Sequence, residues 1–190
     1  MKPHFVLLAA LAATSLFALA ANGAGTLPPE WIMAGASPQN YVAGIDYHAT
    51  RSSAGAKFIR YNSGDKASWG TLMQQIKAGD YLGKRVRFQA RVKAADVSGW
   101  AGLWMRVDTS ARPNARFYNS QDKPIKGSTD WQLRSVTLDV PNDARVISFG
   151  VIDDGTGEIW LDELSFEIVG DSVPVDSMPT YPGPSSKPVL

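Results

Sequence analysis

The sequence predicts an all-β fold, an antiparallel jelly-roll β-sandwich of about nine strands. Three observations carry this expectation. The dominant hydrophobic period is two, turn-forming residues punctuate the chain at short intervals, and no convincing helix follows the first twenty residues.

The period is plainest in Arg85-Val86-Arg87-Phe88-Gln89-Ala90-Arg91-Val92-Lys93, where polar and apolar residues alternate without a break. Leu103-Trp104-Met105-Arg106-Val107-Asp108 repeats the pattern. Successive strand side chains point to opposite faces, so a half-buried strand requires this alternation. Further strands are predicted at 31–35, 40–49, 56–62, 69–77, 131–140, 144–153 and 157–169. Ser63-Gly64-Asp65, Ala78-Gly79-Asp80, Pro141-Asn142-Asp143 and Asp154-Gly155-Thr156-Gly157 supply the turns between them. Residues 71–76 also fit a short helix, too brief to change the class.

The same alternation assigns faces. Val86, Phe88, Ala90 and Val92 are expected in the core, with Arg87, Gln89, Arg91 and Lys93 outside. Leu103, Met105 and Val107 point in; Trp100, Trp104, Arg106 and Asp108 point out. In the last strand Trp160, Asp162, Leu164, Phe166 and Ile168 are placed inside, and Ile159, Leu161, Glu163, Ser165 and Glu167 on the other face.

The ends of the chain read differently. Lys2, the apolar run over 5–20 and the small residues of Ala18-Leu19-Ala20 form a cleavable signal peptide, with a short leader over 21–28. Export to the periplasm or the medium is the expected destination, and no membrane segment is expected after processing. The folded domain is predicted over 29–169. Residues 170–190 hold five of the twelve prolines and read as a flexible tail.

Composition narrows the function classes. Without its first 20 residues the 190-residue chain retains 170, enough for one domain with its own core. It has no cysteine, so no disulfide staples it. Loss of Lys2 leaves 18 basic and 18 acidic residues, a balance that does not favour nucleic acid as a partner.

Several blocks resemble a known domain. These are Gly83-Lys84-Arg85-Val86-Arg87, then Trp100-Ala101-Gly102-Leu103-Trp104-Met105-Arg106-Val107-Asp108, and the stretch from Asn119-Ser120-Gln121-Asp122 to Asp130-Trp131. Leu138-Asp139-Val140-Pro141 and Trp160-Leu161-Asp162-Glu163-Leu164-Ser165-Phe166 continue the match. Together, over about 65–169, they resemble a bacterial galactose-binding-like β-sandwich, found as an appendage of some transcriptional regulators and in stand-alone exported proteins. The closing strand is shared with many carbohydrate-binding modules. The resemblance implies a jelly-roll domain. It does not imply DNA binding, because the chain leaves no room for a helix-turn-helix unit.

Three groups of residues are candidate sites. Trp104, Arg106, Arg87, Gln89 and Arg91 are expected on one outward sheet face. There an indole would pack on a sugar ring while guanidinium and amide groups hydrogen-bond its hydroxyls. Three arginines would suit an acidic sugar. The alternative is that the long 109–130 segment covers Trp104 and packs on it. That segment, about 22 residues, is itself a candidate rim through Phe117, Tyr118, Asn119, Gln121 and Asp122, or else plain turn chemistry. The resemblance also implies a structural calcium between the first and last strands, for which Glu30 and Asp162 are the candidate oxygen ligands. The neighbouring Asp153, Asp154 and Glu158 read as hairpin-turn residues.

Catalytic motifs are missing. His48 is the one histidine after residue 20 and reads as an ordinary strand residue; there is no G-x-S-x-G and no H-E-x-x-H. Glu163 and Glu167 share a face but stand roughly 13 Å apart. The sequence therefore favours a non-catalytic exported module for a carbohydrate. A structural or protein-interaction domain of the cell envelope is the alternative, and a glycoside-active enzyme a third.

Overall fold

A computed structural model of the chain describes residues 26–179. The predicted signal peptide, most of the predicted leader and the last eleven residues of the predicted tail lie outside the described residues. Nine strands follow in order: β1 (Ile32–Gly35), β2 (Tyr41–Asp46), β3 (Ala56–Tyr61), β4 (Trp69–Lys77), β5 (Arg85–Thr109), β6 (Arg116–Tyr118), β7 (Ile125–Asp139), β8 (Ala144–Asp154) and β9 (Glu158–Val169). All pairings are antiparallel. The fold is a jelly-roll β-sandwich, as the sequence predicts.

The two predicted strands at 85–93 and 99–108 are one strand. The first half of β5 pairs with β7 and β9, and its second half pairs with β8 and β6. One layer is thus β7-β5-β9-β3-β2 and the other β1-β4-β8-β5-β6. The corner lies at 94–100, where the pairing with β7 shifts register three times and Asp96 takes a φ of 54°. Bulges of this kind bend a strand enough to change sheets. The broken alternation of Ala94-Ala95-Asp96-Val97-Ser98-Gly99 marks the bend, at the break between the two predicted strands.

The layers meet face to face. Phe88 and Phe149 rings lie 4.9 Å apart, and Phe149 and Phe166 lie 4.7 Å apart. Val86, Phe88, Ala90, Val92, Leu103, Met105 and Val107 all enter this core, as their alternation requires.

The last strand departs from its expected phase. Ile159 and Leu161 are fully buried in the main core, whereas Trp160 faces the other way, into a small cluster with Val42, Ala56 and Phe58. Leu164 and Phe166 pack on the main core, as expected, while Ile168 is exposed. The cause is a bulge: Gln89 pairs with Ser165 but Arg91 pairs with Asp162, and the extra residue, Glu163, has a φ of 49°. One inserted residue reverses the alternation.

The strand expected at 69–77 is β4, and its residues 71–76 do not take the alternative short helix. One other expectation changes: β2 ends at Asp46, so His48 lies in the exposed loop after it rather than in a strand. The start of the proline-rich tail is docked: Asp176 donates its backbone N–H to Thr137 O and accepts the Thr137 N–H on its carboxylate, at 2.9 Å each. Arg85 Nη1 holds the carbonyls of Asp171 and Val173, both at 2.7 Å, and Met178 packs on the core.

Candidate ligand-binding cleft

The outer face of the β1-β4-β8-β5-β6 layer carries a cleft of about 610 Å³. Small-ligand sites usually measure about 300–1,000 Å³. Register fixes its floor as cross-strand rows. Trp69, Asp154 and Trp100 form the first row; Ala34, Thr71, Ile152 and Gly102 the second. Ile32, Met73, Gly150 and Trp104 form the third, and Gln75, Ser148, Arg106 and Phe117 the fourth. Large apolar and hydrogen-bonding side chains are therefore interleaved along one surface.

Trp104 is the floor of this cleft, with only 6% of its surface exposed. Its partner on β8 is Gly150, which has no side chain, so the indole lies across β8 and donates from Nε1 to Thr71 Oγ1 on β4 at 2.8 Å. Thr71 in turn donates to Val151 O at 2.7 Å. The 109–130 segment contributes β6 and a rim over 119–121 to the same cleft. Ser120 Oγ fastens that rim to Leu103 O at 2.7 Å, and Asn119 Oδ1 accepts the Gln121 N–H at 3.1 Å. The rim passes close over Gly102, where a Cβ would sit 3.0 Å from the Ser120 Cβ. Gly102 thus permits the approach.

Of the residues singled out by sequence, the structure brings Trp104, Arg106, Asn119 and Gln121 together in the cleft, with Phe117. Tyr118 is buried instead, donating its hydroxyl to Asp122. Arg87, Gln89 and Arg91 are elsewhere. They occupy the half of β5 before the corner, on the outer face of the opposite layer. There Arg87 pairs with Glu167 at 2.8 Å, Arg91 with Glu163 at 3.4 Å, and Gln89 sits between Ser135 and Ser165. The shared face expected for all five residues rested on two neighbouring strands; a single strand turning a corner separates them.

This changes the charge of the site. Among the described residues Arg106 is the one cation in the lining, and Asp108 neutralises it through contacts of 2.8 and 3.1 Å. Asp108 also accepts the Asn114 N–H, tying the start of the rim to the strand. Asp154 is the carboxylate of the lining, and its Oδ2 accepts Trp100 Nε1 at 2.9 Å. Sequence reading takes Asp154 for a turn residue. It overlooks Trp69, Thr71, Met73, Gln75 and Ile152 because they come from strands distant along the chain. The 39% exposure of Trp69 and 44% exposure of Ile32 are both explained by the cleft.

Glu30, one of the two expected calcium ligands, lies in the turn before β1 with a φ of 65°. Among the described residues no cluster of three or more acidic or histidine side chains is placed to hold a metal ion. The buried Asp162 carboxylate is already engaged. It accepts from Thr50 Oγ1, the Arg51 and Ser52 amides, Ser52 Oγ and the Glu163 amide. Burial alone would raise its pKa, but these hydrogen bonds outweigh it and bring the carboxyl down to about 2. Asp162 thus anchors the 50–52 loop. Asp153 is the opposite case: it points into the core without a hydrogen-bond partner, and burial together with Asp154 pushes its pKa up to about 7.

Comparison with known proteins places this geometry in context. No family model matches the chain. The chain is similar to YbfP of Bacillus subtilis (strain 168), described as an uncharacterized HTH-type transcriptional regulator, at 39% identity over 145 residues. That match takes in 76% of this chain but 49% of the relative, so the chain spans about half the length of the curated relative it matches. Among solved structures, the CBM22-1–CBM22-2 tandem domain of Paenibacillus barcinonensis Xyn10C superposes with a TM-score of 0.56 at 11% identity, over 86% of this chain and 46% of that one. The C-terminal family 22 carbohydrate-binding module of Clostridium thermocellum Xyn10B does so with a TM-score of 0.53 at 15% identity, over 77% of this chain and 89% of that one. At such identities the likeness concerns the fold. No helix among the described residues is long and apolar enough to cross a membrane.

Proposed function

We propose that this protein is a non-catalytic carbohydrate-binding module whose ligand lies in the cleft between Trp69 and the 119–121 rim. The observation that carries the reading is the composition of the floor. Trp69, Trp100 and Phe117 offer apolar ring surface over the nearly buried Trp104, while Thr71, Gln75, Asn119 and Gln121 offer neutral hydrogen-bonding groups. A sugar presents the same two surfaces, a C–H face and a belt of hydroxyls. The family 22 modules of similar fold bear names that describe carbohydrate or xylan binding, which supports the reading.

The acidic sugar expected from three arginines loses its motive, since Arg87 and Arg91 lie on the opposite layer. Hydrolysis by the common glycosidase mechanism needs two carboxylates about 5–10 Å apart, and the cleft lining supplies Asp154 alone. We place the protein outside the cytoplasm on the strength of the residue 1–20 pattern.

Titration of the full chain with xylohexaose, cellohexaose, a galacturonic acid oligomer and a glucosamine oligomer, followed by tryptophan fluorescence, tests the proposal. A saturable shift that Trp69→Ala weakens about thirtyfold, the loss of one interface anchor, is expected. A flat response to neutral, acidic and amino-bearing oligosaccharides alike would overturn it in favour of an envelope-interaction role.

A further inference from the structure

We infer that the Trp69–Asp154–Trp100 end of the cleft receives an amino sugar, with its free ammonium group on Asp154. This inference rests on the carbohydrate reading and narrows it to a ligand class. Asp154 pairs in register with Trp69 on one side and Trp100 on the other. Two strand spacings put those tryptophan backbones roughly 10 Å apart. Trp69 Cε3 lies 3.1 Å from where a Gly35 Cβ would be, and Trp100 turns its Nε1–H to the Asp154 carboxylate at 2.9 Å. The row between them is left to Asp154.

Electrostatics favours a cation there. None of the ion pairs among the described residues includes Asp154, and Arg106, at the other end of the cleft, is held by Asp108. One carboxylate oxygen takes the Trp100 N–H; no side-chain hydrogen bond among the described residues uses the other. The other oxygen faces the cleft and is open to a ligand's charged donor. An acetylated amine or a plain hydroxyl lacks the charge. A sugar with a free amine also keeps the C–H face that the rest of the floor requires.

The test compares three hexasaccharides on the full chain by calorimetry near pH 6: the β-1,4-glucosamine oligomer, its fully N-acetylated counterpart, and cellohexaose. The glucosamine oligomer should bind at least about tenfold more tightly than the other two, the usual effect of a charge-assisted hydrogen bond. That advantage should shrink with added salt. Asp154→Asn preserves an oxygen for the Trp100 N–H and should bring the glucosamine oligomer's affinity down to that of cellohexaose measured on the same variant. Should the variant fail to fold, the salt dependence of the wild-type preference decides. Equal affinities, insensitive to salt and to Asp154→Asn, would overturn the amino-sugar inference and leave the carbohydrate reading intact. Failure of all three sugars to bind would overturn the amino-sugar inference; acidic and xylan-type sugars then decide the broader reading.

Discussion

Trp104 on β5 and Thr71 on β4 are joined by a 2.8 Å hydrogen bond that passes over the intervening strand β8. The bond makes the indole a structural plank of the cleft floor. It also separates Trp104 from Trp69, whose ring is far more exposed at the edge of the same cleft.

The two tryptophans should therefore respond differently to truncation. Trp104→Ala removes a nearly buried ring and leaves Thr71 without its donor, so it should cost about 3–5 kcal/mol of stability. Trp69→Ala should alter stability by about 1 kcal/mol or less, while still weakening ligand binding. Thermal denaturation of both variants checks the difference. Similar melting temperatures would mean that Trp104 is not fixed as described.

Asp153 should make stability fall as pH rises through the neutral range. Its carboxyl stays protonated up to about pH 7 in the folded chain but ionises near 3.8 when unfolded. Between those values the folded state binds more protons, so stability declines with pH and levels off above about 7. Denaturant titrations between pH 4 and 8 should show this slope, and Asp153→Asn should flatten it.

Asp162 works in the opposite sense. Its folded pKa of about 2 lies below the usual 3.8, so its contribution is complete above about pH 4 and is lost as pH falls toward 2. Asp162→Ala leaves the 50–52 amides and hydroxyls without their acceptor. We expect it to cost about 2–4 kcal/mol at pH 7, and much less at pH 2, measured by melting curves at the two pH values.

The bulge at Glu163 orders two leucines three positions apart. Leu161 is fully buried and Leu164 only partly so. Leu161→Ala should cost about 2–5 kcal/mol and Leu164→Ala distinctly less. Urea denaturation that ranks them the other way would place the phase reversal elsewhere in β9.

Sequence alternation gives eight of the strands and the core faces of β5, because period two is a property of neighbouring residues. It fails at two places for one reason. At 94–100 and at 162–163 the chain inserts residues whose left-handed backbone, at Asp96 and Glu163, leaves little signal in residue type. The first insertion hides that Arg87 and Arg106 belong to opposite layers. The second hides the burial of Leu161. In the cleft, Trp104, Arg106, Asn119 and Gln121 are legible because they share one stretch of chain. Trp69, Thr71 and Asp154 reach it only through the pairing of β4 and β5 with β8, which a sequence without its topology does not contain.

Because β5 runs unbroken through both layers, the sandwich has a covalent spine and cannot part like the covers of a book along that seam. Opening the layer beneath the cleft must disturb residues 85–95 in the other. Backbone amides of 85–95 and 100–109 should thus exchange with deuterium at a common rate set by one cooperative event. A sugar seated on Trp104 would slow exchange at both, carrying its effect to a surface it never touches.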